Sequence, residues 1–350
     1  MTILLTGAAG FIGYHTAEAL LARGEQVIGV DNLTPYYDVR LKQARLANLA
    51  DKPGFKFIEL DLASRDDMAR LATLHPGITR IVHLAAQAGV RYSMIDPYSY
   101  VASNVMGHLG VLEFGRHLKR LDHLVYASSS SVYGSNQRVP FAEADRVDTP
   151  MSLYAATKRA DELMSHSYGH LYGMAQTGLR FFTVYGPWGR PDMAYYSFAE
   201  AIMAGRPIQL YDDGTVRRDF TYIDDIVAGV VGALDHSPQV APGQPPVRVL
   251  NIGNNRSEPV SALVELLEQG LGRKAIIEYA ERPAADVAET CATIDEIAAL
   301  TGFSPATPLS EGVPRFVEWY LRWSHESDAR GSAVIEAGSR NAGSLLADVV

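Results

Sequence analysis

Cysteine is almost absent from this sequence, since Cys291 is the only one among 350 residues. A single thiol excludes an internal disulfide and a thiolate metal cluster, and it fits a reducing compartment. Basic side chains are also in deficit, with 31 against 40 acidic ones and a formal net charge of -9. A surface that follows nucleic-acid phosphates needs clustered Lys and Arg, so we expect no nucleic-acid partner.

Long apolar runs are missing as well. The most membrane-like stretch, 226–234, has nine residues, about half of the ~20 that are needed to span a bilayer. Met1 leads directly into the apolar, strand-like residues 3–5, with no signal-peptide pattern. We therefore expect a soluble, cytoplasmic protein without a membrane partner.

What the first half of the chain does contain is a regular alternation of short apolar runs and helical patterns. This alternation predicts βαβ units, and therefore an α/β fold with a doubly wound parallel sheet of the Rossmann type. Strands are predicted at 2–6, 26–30, 55–60, 80–84, 121–127 and 177–182, and helices at 11–23, 98–118 and 153–171.

The texture changes after Gly186, where two prolines and two glycines within 186–191 exclude a helix interior. Shorter elements follow, with strands predicted at 207–211 and 247–250 and helices at 224–234 and 259–271. We expect residues 1–185 to form a nucleotide-binding domain. Residues 186–325 are expected to form mainly a smaller substrate-binding lobe, with some segments returning to the first domain. Residues 239–246 are predicted to be a surface loop and 326–350 a flexible tail.

A glycine loop between the first strand and the first helix predicts a cofactor site. Gly7, Gly10 and Gly13 differ from the common G-x-G-x-x-G spacing, but they still permit a tight turn and close approach to a pyrophosphate. Asp31 ends the second strand, where a carboxylate accepts the adenosine ribose hydroxyls and repels the extra phosphate of NADP. We therefore expect NAD. Asp61, which ends the third strand, is a candidate adenine contact or a plain turn residue.

A second signal is the pair Tyr154 and Lys158, which a spacing of four places on one helix face. A lysine ammonium near a phenol lowers the phenol pKa from ~10 toward neutrality, which produces a base for a sugar hydroxyl. Such a pair alone is also typical of an exposed amphipathic helix. The serine run 128–131 directly follows the predicted fifth strand, at the edge where parallel sheets bind ligands, and would otherwise be a flexible turn.

Taken together, these residues resemble the extended short-chain dehydrogenase/reductase family, specifically its NAD-dependent nucleotide-sugar epimerases and dehydratases. The resemblance covers about residues 1–325, and its motifs also include 83–86 (His-Leu-Ala-Ala) and Ser129, which precedes Tyr154 by 25 residues. It implies that Ser129 is the catalytic hydroxyl, Tyr154 the base and acid, and Lys158 its partner and a nicotinamide-ribose ligand. Further cofactor contacts that it implies are Phe11, Ile12, Asn32, Leu62, Leu84, Ala85, Ala86 and Asn104.

Within that family, residues 86–93 and 180–193 are similar to those of enzymes that epimerise UDP-hexuronic acids at C4. Related dehydratases carry Asp-Glu, and related decarboxylases a Glu, where this chain has Ser130-Ser131. The resemblance implies reversible epimerisation of UDP-glucuronate to UDP-galacturonate through a 4-keto intermediate, with tightly bound NAD. Alternatives are a UDP-glucose/UDP-galactose-type 4-epimerase, a UDP-glucuronate decarboxylase, and an inactive NAD-sensing protein.

The resemblance also implies how the UDP-sugar is held. Arg218 and Arg282 match diphosphate-binding arginines, for which the alternative is a solvated surface position. Thr183 and Arg190 match the positions that hold the sugar carboxylate, although Arg190 could instead pin its own loop by bonding backbone carbonyls. The remaining predicted substrate contacts are Ser93, Ser128, Ser129, Ser130 and Asp286.

Two further expectations concern metals and partners. The ten histidines show no metal-ligand spacing. Asp224-Asp225 looks like a metal pair, but at the start of an apolar helix it is expected to cap the helix and complement its dipole, so we predict no metal. Helices 98–118 and 153–171 are apolar on more than one face, and in related proteins they pair into a dimeric four-helix bundle. We therefore expect a homodimer.

Overall fold

The computed structural model describes residues 1–239, 243–283 and 286–325. Its strands are β1 (Thr2–Thr6), β2 (Gln26–Asp31), β3 (Phe55–Glu59), β4 (Arg80–His83), β5 (His123–Ser129), β6 (Gln176–Phe181), β7 (Thr183–Tyr185), β8 (Pro207–Tyr211), β9 (Arg217–Tyr222), β10 (Val247–Ile252), β11 (Ser257–Pro259) and β12 (Ile276–Ala280). Seven of them form a parallel sheet in the order β3-β2-β1-β4-β5-β6-β10. The prediction of a doubly wound α/β fold is confirmed.

Helices cover both faces of this sheet. They are α1 (Phe11–Ala22), α2 (Val39–Ala50), α3 (Arg65–Leu74), α4 (Pro97–Tyr100), α5 (Gly107–His117), α6 (Leu153–Tyr172), α7 (Ala194–Met203), α8 (Ile223–Asp235), α9 (Val260–Leu271), α10 (Asp295–Thr301) and α11 (309–325). A π-helical segment, Val101–Met106, joins α4 to α5. In the described ranges, no helix combines the length and apolar character that crossing a membrane requires.

The period of a β-strand divides the apolar side chains between two cores. On β1, Leu5 joins the core under α1 and α8, while its neighbour Leu4 joins the core under α3 and α5. Successive side chains of a strand point to opposite faces, so a strand that is buried on both sides reads as a continuous apolar run. This is why the sequence of β1 shows no polar alternation.

A smaller lobe is built from short strands after β6. β7, β9 and β11 form one sheet, and β8 pairs with β12 in another, whereas β10 returns to the edge of the main sheet. The buried carboxylate of Asp219 on β9 holds the lobe together. It accepts hydrogen bonds from the backbone N–H groups of Asn254 (2.6 Å), Asn255 (3.1 Å) and Ala292 (3.0 Å).

Helix α6 has clear signals at both ends. Its N-cap Ser152 accepts a hydrogen bond from the backbone N–H of Ala155 at 3.1 Å. Gly173 ends the helix in the left-handed conformation, with φ at +65°, which glycine adopts without steric cost. The caps therefore fix where α6 begins and ends.

The structure corrects three expectations about local elements. β5 runs two residues beyond the predicted strand, because Ser128 and Ser129 pair with Arg180 and Phe181 of β6. The predicted helix 98–118 is a chain of segments, α4, the π-helical segment and α5, rather than one regular helix. Asp225 accepts hydrogen bonds from the backbone N–H groups of residues 306 and 307 rather than capping α8. The predicted tail 326–350 lies outside the described residues, as does part of the predicted loop 239–246.

Candidate active site

A deep cleft lies at the carboxyl edge of the main sheet, where the strand order reverses between β1 and β4. Ligands bind at this position in doubly wound folds. The cleft is lined by most of the residues that the sequence predicts for a site, namely Gly7, Gly10, Phe11, Ile12, Gly13, Asp31, Asn32, Asp61, Leu62, Leu84, Ala85, Ala86, Ser128, Ser129, Ser130, Tyr154, Lys158, Thr183, Arg190, Arg218 and Asp286.

The glycine loop has no room for side chains. Gly7 has φ at +72°, and a Cβ there would lie 2.7 Å from the backbone nitrogen of Ala85. A Cβ on Gly13 would lie 2.0 Å from the carbonyl oxygen of Gly7. The N-cap Gly10 makes no side-chain cap, so the first N–H groups of α1 lack a capping acceptor. This is a cradle for a dinucleotide diphosphate.

Asp31 lies at the end of β2 with both carboxylate oxygens fixed by the backbone. One oxygen accepts from the N–H of Ala9 at 3.2 Å and the other from the N–H of Leu33 at 2.9 Å. Lys42, which no sequence pattern singled out, places Nζ 3.7 Å from Asp31 and also lines the cleft. The carboxylate is thus pre-oriented for ribose hydroxyls, and the residues present fit an adenine dinucleotide.

A second missed residue, Arg45, ties this loop to the segment that carries Arg190. Its buried guanidinium donates to the carbonyl oxygens of Ala9 (2.8 Å), Trp188 (2.6 Å) and Gly189 (3.1 Å). No sequence pattern reveals these contacts, since Arg45 and Trp188 are 143 residues apart.

The four serines of the run 128–131 line the cleft at the end of β5. Ser129 Oγ accepts from Ser131 twice, from its N–H at 3.2 Å and its hydroxyl at 2.9 Å. The proton of Ser129 therefore remains available to a ligand. Ser131 also lines the cleft and was not predicted, although the run of four serines contained it.

Ser128, by contrast, donates its hydroxyl to the buried carboxylate of Glu162 at 2.6 Å. Glu162 also receives Arg180, with Nε at 2.9 Å and Nη2 at 3.0 Å. Burial acts to raise the pKa of Glu162, but the hydrogen bonds and charge of Arg180 outweigh it and lower that pKa. This network joins β5, α6 and β6 behind the cleft, and its members are distant in sequence.

Tyr154 and Lys158 reach the cleft from α6. The Tyr154 ring meets Tyr100 edge-on, with centroids 6.0 Å apart. Lys158 Nζ donates to the carbonyl oxygen of Ala127 at 2.9 Å and to the carboxylate of Asp161 at 3.0 Å. The structure therefore brings the phenol, the ammonium and Ser129 to one cleft.

Arg190 does not bond backbone carbonyls of its own loop. Its guanidinium instead pairs with Asp192 in a two-point contact, Nε to Oδ1 at 3.0 Å and Nη2 to Oδ2 at 2.7 Å. Thr183 lines the same cleft. Asp192, which was not predicted, also accepts from the hydroxyl of Tyr36 at 3.2 Å.

Among the other residues that line the cleft, Arg218 forms an ion pair with Asp286 at 2.5 Å. Burial lowers the pKa of the Arg218 guanidinium, while Asp286 favours its charged form. Arg282 does not line the cleft, because it bonds the Asp212 carboxylate and the Asp286 carbonyl oxygen, both at 2.8 Å.

Two other predicted residues lie behind the cleft wall. Asn104 exchanges hydrogen bonds with the backbone of Gln87 at 2.8 and 3.0 Å and donates to Thr157 Oγ1 at 3.0 Å, so its amide is already occupied. Ser93 is buried and donates to the Val90 carbonyl oxygen at 2.6 Å. Both hold the loop 87–93 in place rather than forming the surface of the cleft.

The fold and the cleft define a Rossmann-type enzyme that uses a nicotinamide dinucleotide, with a Tyr/Lys pair at the substrate end. The chain belongs to the NAD dependent epimerase/dehydratase family, whose sequence profile matches residues 3–253. This confirms the resemblance inferred from the motifs.

The chain is also similar to individual nucleotide-sugar epimerases and to their solved structures. The chain is 48% identical over 334 residues to a "Probable UDP-glucuronate 4-epimerase" of Rhizobium meliloti (strain 1021), covering 91% of this chain and 97% of that protein. It is similar to the Bacillus cereus UDP-glucuronic acid 4-epimerase structure with UDP-glucuronic acid and NAD, at 34% identity and a TM-score of 0.84, covering 92% and 100% of the two chains. The Thermotoga maritima UDP-glucose 4-epimerase with UDP-glucose is 28% identical, with a TM-score of 0.81, covering 92% and 99%.

Proposed function

We propose that the protein interconverts UDP-glucuronate and UDP-galacturonate by epimerisation at C4. The observation that carries this proposal is that Arg190 and Thr183 line the same cleft as Ser129, Tyr154 and Lys158. A guanidinium at that position offers a two-point contact to a sugar carboxylate. The relatives that act on UDP-glucuronate support the same substrate.

The cofactor end would be held by the glycine loop, with Asp31 on the adenosine ribose. NAD, when bound, would supply a hydride acceptor for C4 and, in its reduced form, a hydride donor for the opposite face of the keto sugar. Tyr154 would take the proton of the C4 hydroxyl and later give it back, and the free hydroxyl of Ser129 would donate a hydrogen bond to the same oxygen. Lys158 supplies the positive charge that favours the phenolate.

The carboxylate poses a chemical problem that the substrate end must solve. A 4-keto-uronic acid is a β-keto acid, so it loses CO2 easily once the bond to the carboxylate aligns with the carbonyl π system. In our proposal Arg190 exchanges Asp192 for the sugar carboxylate and restrains it, with help from Thr183. Ser130 and Ser131 offer no acid at the position where related decarboxylases carry a Glu.

A second candidate, 4-epimerisation of a neutral UDP-hexose, is favoured by one observation. Arg190 already has a carboxylate partner in Asp192, with both of its contacts at 3.0 Å or less. If the Arg190–Asp192 pair persists with substrate bound, these N–H donors of the Arg190 guanidinium remain occupied and cannot bind the carboxylate of a uronic acid.

A direct assay tests the proposed function. Purified protein incubated with UDP-glucuronate should produce UDP-galacturonate until the two sugars reach equilibrium. Incubation with UDP-galacturonate should give the same equilibrium mixture. Anion-exchange chromatography with nuclear magnetic resonance separates the epimers and reveals any UDP-pentose. Conversion of UDP-glucose but not of UDP-glucuronate would favour a neutral-sugar 4-epimerase. A UDP-pentose as the main product would favour a UDP-glucuronate decarboxylase.

We further propose a domain organisation and a cellular location for the protein. Residues 1–185, together with the returning strand β10, form the cofactor-binding domain, and most of 186–325 the nucleotide-sugar lobe. Arg218 would bind the diphosphate of the UDP-sugar, and Asp286 and Arg282 would hold the Arg218 side chain in position. One cysteine among 350 residues supports a cytoplasmic location.

A homodimer through α4–α6 is part of the proposal. Large apolar side chains are exposed along these helices, including Tyr98 (85%), Val101 (45%) and Leu163 (55%), and such a cluster is typical of an interface. Leu163→Glu should therefore convert a protein with the mass of two chains into one with the mass of a single chain, as measured by light scattering. Ile276→Glu, at an equally exposed position on β12, is the control and should leave the mass unchanged. A single-chain mass for the unaltered protein would rule out the dimer.

A further inference from the structure

Lys158 has a buried acidic partner to which the mechanism above gives no role. Its Nζ lies 3.0 Å from Oδ2 of Asp161, and the two side chains are 3% and 1% exposed. Tyr154, Lys158 and Asp161 stand at positions i, i+4 and i+7 of α6, so they form one stripe along a single face of the helix. The carboxylate thus continues the line of the phenol and the ammonium.

The hydrogen bonds of Lys158 show how its ammonium is oriented. An ammonium has three N–H donors. One is directed at the Ala127 carbonyl oxygen at 2.9 Å and a second at Asp161 at 3.0 Å. Since Lys158 also lines the cleft, one donor is left for a ligand there. Ala127 and Asp161 together therefore fix the direction of the remaining N–H.

Among the described residues, Lys158 is the one side chain that forms a hydrogen bond or ion pair with the Asp161 carboxylate. Its second oxygen, Oδ1, is buried without a hydrogen-bond partner among the described residues. Burial raises the pKa of Asp161 to about 6, against the opposing effect of the Lys158 charge. A buried carboxylate with one polar partner is costly to the fold, which points to a use in the site.

The groups that face this pair from other elements do not balance the charge of Lys158. Burial lowers the pKa of His83 on β4 to about 3 and that of His108 on α5 well below its usual value, so both are neutral. Burial also raises the pKa of Tyr126 on β5, which keeps that phenol protonated. None of these three side chains carries a negative charge near neutral pH.

The next residue of α6, Glu162, is committed elsewhere. Its carboxylate binds Arg180 from β6 at 2.9 and 3.0 Å, and it also accepts from Arg159 at 2.9 Å. Two adjacent acids thus serve different cations, and in the described part of the chain Asp161 is the carboxylate paired with Lys158.

We propose that Asp161 is a positioning residue for the reaction, which directs the Lys158 ammonium and offsets part of its charge as felt by Tyr154. This inference rests on the proposed function of Tyr154 and Lys158. An epimerase must take the C4 proton and then return it, so a phenolate that is stabilised too strongly would hinder the return. A counter-charge on Lys158 sets the balance between the two halves of the cycle.

Asp161→Asn tests this with little change of shape. The acidic limb of the kcat profile, measured between pH 6.5 and 10, should move to lower pH by about one unit. This is the effect of one charge two helical turns away at an effective dielectric constant near 20. Asp161→Ser, which also removes the charge, should move the limb in the same direction and serves if the Asn variant does not retain NAD.

Glu268→Gln provides the matched control, because it neutralises the acid of another Lys–carboxylate pair, with Lys274 at 2.5 Å, far from the cleft in α9. It should leave the limb where it is in the unaltered protein. The kcat profiles of the unaltered protein and of both Asp161 variants are each normalised to their maximum and compared. If the unaltered protein is active and the three normalised profiles coincide, Asp161 does not have the proposed role. Absence of epimerisation in the unaltered protein would instead overturn the proposed function itself.

Discussion

Tyr154→Phe is expected to lower turnover of UDP-glucuronate by a factor of ~10²–10⁴, the range for loss of a general base. The phenol lines the cleft at the carboxyl edge of the sheet, and its ring contact with Tyr100 does not use the hydroxyl. Removing that oxygen should therefore leave the packing, the retained NAD and the binding of the UDP-sugar nearly unchanged. Initial rates, NAD content after purification and calorimetric titration with UDP-glucuronate measure the three quantities.

Tyr279→Phe is the appropriate control, since Tyr279 is 60% exposed on β12 and should give the activity of the unaltered protein. Ser129→Ala should cost less than Tyr154→Phe, because Ser131 lies 2.9 Å away with a second hydroxyl. A Tyr154→Phe variant with near-normal turnover would mean that the active site lies elsewhere.

Arg190→Ala is expected to weaken UDP-glucuronate selectively. Hydrogen bonds to a charged group contribute about 1.5–3 kcal/mol, which corresponds to roughly tenfold to a hundredfold in kcat/KM. A neutral UDP-hexose does not use this contact, so its kcat/KM should change much less. Loss of the restraint on the carboxylate should also divert part of the 4-keto intermediate to a decarboxylated UDP-pentose.

The ratio of kcat/KM for UDP-glucuronate and UDP-glucose, with product analysis by chromatography, measures both effects. Arg146→Ala removes an exposed arginine paired with Asp148 at 3.3 Å and should change neither quantity. An equal loss of kcat/KM on the acidic and neutral sugars, with no pentose product, would show that Arg190 does not bind the sugar carboxylate. The neutral-sugar epimerase would then be the better assignment.

Local spacing explains why part of the site was predictable. Tyr154 and Lys158 are four residues apart, and Gly7, Gly10 and Gly13 follow a strand, so helix period and strand–loop–helix order place them without any long-range knowledge. Asp161 lies on the same stripe of α6, but the period alone cannot tell a buried carboxylate from a solvated one. Its role as a partner of Lys158 needed the packing of α6 against the sheet.

The arginines show the opposite case. The sequence singled out Arg190, yet its pairing with Asp192 depends on how the Gly/Pro-rich loop folds back, because residues two apart in a loop have no fixed geometry. Arg282 was expected to line the cleft and instead bonds the Asp212 carboxylate and the Asp286 carbonyl oxygen. A side chain as long as arginine can reach many partners, so its position in the sequence leaves its direction open.

The sequence by itself determined the α/β class, the glycine cradle, the acid at the end of β2 and the Tyr/Lys pair on α6. The α/β class follows from the alternation of apolar runs and helical patterns along the first half of the chain, and the other three follow from local spacing. Only the tertiary structure decided that Arg45 bonds both the glycine loop and the carbonyls of Trp188 and Gly189, and that Glu162 joins three elements. The physical reason is that hydrogen bonds between buried groups form wherever folding brings a donor and an acceptor together, and chain distances of 143 residues leave no periodic trace in the sequence.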